Sequence, residues 1–142
     1  MKAQIVLIIC IASLLACQPA EDYKIIRKEI VEEHDKVMID SERAIEDRTR
    51  LENLLLNMDS LKSAHPVVDT LKEKVEISKL VAKLDEADQQ METWMKEFDA
   101  ELGKKSNDEA VAYFKNEKLK LKQLDSLIKD ALGESEEYLK KY

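Results

Sequence analysis

Apolar residues recur every seven positions along stretches of this chain that hold almost nothing able to break a helix, and few folds accommodate that combination. Tyr23, Ile30, Val37, Ala44, Leu51 and Met58 form the first run, widened toward its end by Ile26, Leu54, Leu55 and Leu61. From residue 20 onward there is one proline, Pro66, and there are two glycines, Gly103 and Gly133. A stripe of this period is the seam of a long amphipathic helix that packs on others. Charged residues are 37% of the chain; without periodicity that content would read as disorder, and the periodic apolar positions argue for helices instead.

The spacing predicts a first helix over residues 22–62. Pro66 suits a first helical turn and disfavours helix just before itself, so a second helix is expected over 67–103. Thr70 and Glu73 have capping-box spacing should it start slightly later. Its core face reads Ile77, Leu84, Met91 and Phe98, flanked by Leu80, Val81, Ala87, Trp94, Met95 and Leu102, with Gly103 as the stop. Ser106-Asn107-Asp108-Glu109 is an N-terminal signature that opens a third helix over 107–132. Phe114, Leu121 and Ile128 mark its stripe, supported by Ala110, Tyr113, Leu124, Leu127 and Leu132. Gly133 is expected to end it and leave residues 134–142 as a short tail. The expected fold is all-α: an antiparallel three-helix bundle in a single domain over residues 23–142. Glu32/Lys36 and Glu46/Arg50 have the i, i+4 spacing that supports a solvated helix face.

The N-terminal segment speaks to location. Residues 5–15 form an apolar run behind Lys2, about half of the roughly 20 residues that a membrane span needs and the size of a secretory core. It closes on Leu14-Leu15-Ala16-Cys17, which resembles the lipobox of a bacterial lipoprotein. The resemblance implies a signal peptide over residues 1–16, cleavage before Cys17, a lipid on Cys17 and a short tether over 17–22. Ordinary cleavage after Ala16 also fits the small residue there, but a lone thiol is otherwise unexpected in an exported protein. Cys10 leaves with the signal, so no disulfide framework exists.

Without residues 1–16 the chain of 142 has 126 left, and losing Lys2 takes the formal charge from −7 to −8. An acidic chain is a poor partner for nucleic acid and for anionic lipid, so the expected membrane contact is the lipid on Cys17. Gln18 at the second mature position lacks the aspartate that resembles an inner-membrane retention signal, which favours the outer membrane. Glu21 and Asp22 resemble the acidic export signals of surface lipoproteins in the Bacteroidota, or form a solvated acidic linker; both readings stay open.

The chemistry inventory is short. There is no Gly-rich phosphate loop and no Ser-His-Asp or Cys-His set, and the histidines are His34 and His65. No enzyme and no resident cofactor is expected. One constellation stands out: His34 and Met38 lie at i, i+4 on the first helix, and Met91 and Met95 repeat the spacing on the second beside Trp94. If the hairpin turns near residues 63–66, residue i faces roughly residue 129 − i. That register sets His34 opposite Met95 and Met38 opposite Met91. Thioethers with one imidazole suit Cu(I) or Ag(I), and Trp94 offers a cation–π contact. The plainer reading makes Met91 and Met95 core fillers, Trp94 a core aromatic and His34 a flanking polar residue.

The segment His34-Asp35-Lys36-Val37-Met38, followed after a long gap by Ala87-Asp88, Met91, Trp94-Met95 and Phe98, resembles a family of small Bacteroidota lipoproteins often labelled viral A-type inclusion proteins. The resemblance implies a helical envelope lipoprotein and supplies no activity. Members of that family often carry a methionine where Ser41 stands and a histidine where Lys96 stands, so the resemblance implies fewer candidate ligands in this chain. Two functions follow as expectations. One is a non-enzymatic structural or adaptor module with an unknown protein partner in the envelope; the other is a Cu(I)/Ag(I)-binding lipoprotein.

Overall fold

The computed structural model describes residues 21–142, and within them the protein is all-helical, with four helices packed together. The expected signal peptide over residues 1–16, Cys17 and the tether as far as residue 20 lie outside the described residues. Helix α1 runs Tyr23–Leu56, α2 Met58–Ala64, α3 Thr70–Glu97 and α4 Asn107–Leu139. The broadest contact joins α1 to α4, and α3 lies against both. No helix among the described residues is long and apolar enough to cross a membrane.

The first correction falls at Asn57, which divides the single helix expected over 22–62. Asn57 leaves helical angles (φ −112°, ψ 32°), and its side-chain amide donates to the Asn53 carbonyl at 2.8 Å. A side chain that bonds a carbonyl of the preceding turn competes with the helical ladder. Met58 and Leu61 are nevertheless buried, so the apolar stripe continues through the break.

The second helix starts at Thr70 rather than 67, because Asp69 caps it: the Asp69 carboxylate accepts from the Leu71 and Lys72 amides at 3.1 and 3.3 Å. It ends at Glu97 rather than 103. Phe98 is extended, and the Asp99 carboxylate accepts from the Glu101 and Leu102 amides at 3.0 and 3.1 Å, closing a turn. Those two amide bonds hold the Asp99 carboxyl below the usual carboxylate range. Leu102 and Gly103 are both left-handed, at φ 53° and 57°. For Leu102 that conformation costs about 1–2 kcal/mol, offset by burying its side chain in the core.

Ser106 opens α4 with a complete capping box, its hydroxyl accepting from the Glu109 amide while the Glu109 carboxylate accepts from the Ser106 amide at 2.9 Å. The third correction lies at the other end. Gly133 does not stop the helix, which runs on to Leu139. A glycine inside a helix costs about 1 kcal/mol, and the burial of Ala131, Leu132, Ser135, Tyr138 and Leu139 around it outweighs that cost.

Ile30, Val37, Leu51, Ile77, Leu84, Met91, Phe114, Leu121 and Ile128 form the sealed centre of the core. Tyr23 and Phe98, expected in the stripes, are only partly buried against it. Four charged or hydroxyl side chains sit inside as well: Ser41, Asp47, Glu117 and Ser135. Ser135 Oγ lies 2.8 Å from both Asp47 Oδ2 and the Leu132 carbonyl, and Arg50 reaches the other Asp47 oxygen at 3.2 Å.

Candidate metal centre

His34 projects from α1 toward α3, where its Nε2 stands 3.5 Å from Met95 Sδ. The contact is what an antiparallel pairing of these two helices produces at this register. The other imidazole nitrogen, Nδ1, is 3.3 Å from the Asp35 carboxylate. A neutral imidazole that donates from Nδ1 to a carboxylate leaves the Nε2 lone pair free, which is how metal-binding histidines are oriented.

The four sequence-predicted ligands are not equivalent. Met95 was expected on the flank of the core and is instead 41% exposed, at the outer edge of the α1–α3 seam. Met38 is half-buried against the core, one turn along α1 from His34. Met91 is 2% exposed and belongs to the sealed centre, where it fills space among aliphatic and aromatic neighbours. His65 stands apart from this group and packs edge-on against Tyr142 with ring centres 5.4 Å apart. Ser41 is buried, and its hydroxyl has no hydrogen-bond partner among the described residues; Lys96 is exposed and pairs with Glu92 at 2.9 Å.

Trp94 forms the inner wall of the site. Its ring is 5.9 Å from the His34 ring at a 30° tilt and 5.0 Å from Phe98. Phe98 in turn packs on Tyr113 and Phe114, and Phe114 stacks on Tyr23, so aromatic rings line this end of the protein from the seam to the start of α1. The indole is fixed from behind: Trp94 Nε1 donates to Glu117 Oε2 at 2.9 Å, and Lys120 donates to Glu117 Oε1 at 2.9 Å. That hydrogen bond to Glu117 is what raises the Lys120 ammonium above its ordinary value.

Compared with protein-family models, curated proteins and solved structures, this chain has no match. The chemistry of the site therefore rests on its own donors. Among the described residues no three His, Cys, Asp or Glu side chains gather into a metal-ligand group. What the seam brings together is one imidazole nitrogen and a thioether, beside a π-face, and those donors suit soft monovalent ions over Zn²⁺, Mg²⁺ or Ca²⁺.

Glu117 is the participant that the sequence reading passed over. It sits between Phe114 and Leu121 at a core-facing position of the α4 stripe, and a carboxylate there needs a buried partner. The same signal marks Ser135, seven residues beyond Ile128, and Asp47 between Ala44 and Leu51.

Proposed function

We propose that this is a lipid-anchored protein of the bacterial cell envelope, held at the outer membrane through Cys17, that acts as a non-enzymatic spacer or adaptor. Its helices are read as an antiparallel three-helix bundle in which α2 extends α1. The observation that carries this reading is the fastening of Glu21. Asn107 donates to the Glu21 carbonyl at 3.0 Å, and Lys115 pairs with its carboxylate. Only residues 18–20 then separate a fixed point of the fold from Cys17, a span of about 14 Å at full extension.

An anchor so short would keep the end of the fold that carries Glu21 close to the membrane. Arg27 on α1 donates to the Ala100 carbonyl at 3.1 Å, so the loop over 98–106 lies at the anchored end. A helix of 34 residues is about 51 Å long, and the end carrying α2 and the loop over 65–69 would reach up to that far from the membrane. Val67, at 97% exposure, Leu56 and Leu71 are uncovered there. Such a tip suits a protein partner in the envelope. A photo-crosslinking residue in place of Val67, introduced in living cells, tests the adaptor role. One discrete adduct that Cys17→Ser abolishes is expected; no adduct, or one indifferent to Cys17, would count against it.

A second reading, a Cu(I)- or Ag(I)-binding lipoprotein, is favoured by one specific observation: the approach of His34 Nε2 to Met95 Sδ across two helices.

A further inference from the structure

We propose that His34 Nε2 and Met95 Sδ are two donors of a bent, three-coordinate site for Cu(I) or Ag(I), that Met38 is the third donor, and that Glu117 positions Trp94 as its wall. This inference rests on the metal-binding reading above and gives it a defined ligand set.

The bend follows from the separation. With bonds as short as those of zinc, about 2.0 Å to nitrogen and 2.3 Å to sulfur, donors 3.5 Å apart would subtend roughly 110° at an ion. A straight two-coordinate site would hold the same atoms about 4.3 Å apart. An angle near 110° would leave one side of the ion open to a further soft donor.

Two thioethers are candidates for that place, and burial chooses between them. Met91 is sealed in the core, and drawing its sulfur outward would open a cavity among close-packed side chains. Met38 is half-buried, one turn from His34 on the same helix, and a thioether with three rotatable bonds can swing without disturbing the core. Asp35 holds Nδ1 and so keeps Nε2 available.

The indole adds the fourth element. Its ring centre lies 5.9 Å from that of the imidazole that would carry the ion, so an ion held on the indole side of His34 would meet its π-face. The bond from Trp94 Nε1 to Glu117, closed by Lys120, prevents the ring from turning away. Glu117 is thus a positioning residue, acting through Trp94 alone.

Trp94 is the only tryptophan of the chain, so its emission reports the site directly. The experiment is an anaerobic titration of the full chain in detergent with Cu(I), and separately with Ag(I), against a competing chelator, following Trp94 fluorescence. Saturating one-to-one quenching is expected. His34→Gln, Met95→Leu and Met38→Leu should each weaken binding by more than about tenfold, while Met91→Leu leaves it unchanged, and far-ultraviolet dichroism confirms that each variant is folded. Glu117→Gln, which keeps a carbonyl acceptor for the indole, should bind like the parent; Glu117→Leu should bind with a reduced quench. No binding by the parent chain would overturn the metal reading itself. Binding that survives His34→Gln and Met95→Leu would overturn this ligand set, and loss on Met91→Leu with retention on Met38→Leu would overturn the third donor.

Discussion

Ser135 on α4 and Asp47 on α1 meet inside the core, hydroxyl to carboxylate at 2.8 Å, 88 residues apart in sequence. The contact ties together the two helices that share the broadest interface. Replacing Ser135 by alanine removes the donor and leaves a buried carboxylate with Arg50 alone. The expected loss is about 1–3 kcal/mol in urea unfolding. A variant as stable as the parent would mean that the contact contributes nothing.

Glu117 makes a similar case with a sharper control. Glu117→Ala strands the Trp94 indole N–H inside the core and should cost about 1–3 kcal/mol. Glu117→Gln preserves an acceptor and should cost much less. Equal losses from both would show that packing, not the hydrogen bond, matters there.

The two glycines should respond with opposite sign. A Cβ at Gly133 meets nothing within 4 Å and the residue is helical, so Gly133→Ala should stabilise the protein by about 1 kcal/mol. A Cβ at Gly103 is equally free of clashes, but φ is +57°. Gly103→Ala should therefore destabilise by about 1–2 kcal/mol. Thermal melts of the pair check this, and shifts of the same sign would contradict it.

Leu121 is fully buried at the centre of the α4 stripe. Leu121→Ala should cost about 2–5 kcal/mol, measured by denaturant titration. An effect near zero would break the assignment of that face to the core.

Acid should weaken the fold through its exposed carboxylates. Asp99 is depressed by the Leu102 and Glu101 amides, Glu109 by the Ser106 amide and hydroxyl, and Glu29 by its hydrogen bond to Lys118. A carboxyl whose folded value is below its unfolded value contributes stability that is fully present above the unfolded value, about pH 4. That contribution is lost as pH falls through the folded value. Stability should therefore decline on acidification below about pH 4, and Asp99→Asn should show a shallower decline. Parallel pH profiles for the parent and the variant would contradict the role given to Asp99.

Much of the fold is legible in the sequence, and the exceptions share a physical cause. The stripe from Ile30 to Met58 and the Ser106 capping box are local signals, set by periodicity and by side chains within four residues of one another. The interruption at Asn57, the stop at Phe98 and the continuation through Gly133 are decided by competition. A side chain bonds a nearby carbonyl or amide in the first two, and tertiary burial outweighs a local glycine in the third. At the candidate site, the pairing of His34 with Met95 follows from antiparallel register, which the hairpin length fixes. The separation of Met38 from Met91 by burial follows from the same pattern, since Met91 lies in the seven-residue stripe of its helix and Met38 lies one residue off the stripe of α1. Glu117 was readable as a carboxylate out of place in an apolar stripe, but its partner on another helix was not.

The proposed lipid on Cys17 is tested most directly by mass spectrometry of the N-terminal peptide of the mature protein from membranes of the producing cells. The expected result is a peptide that begins at Cys17 and carries acyl chains on that residue. A mature chain that begins at Gln18, or one that retains residues 1–16 with an unmodified Cys17, would contradict a lipid-anchored module.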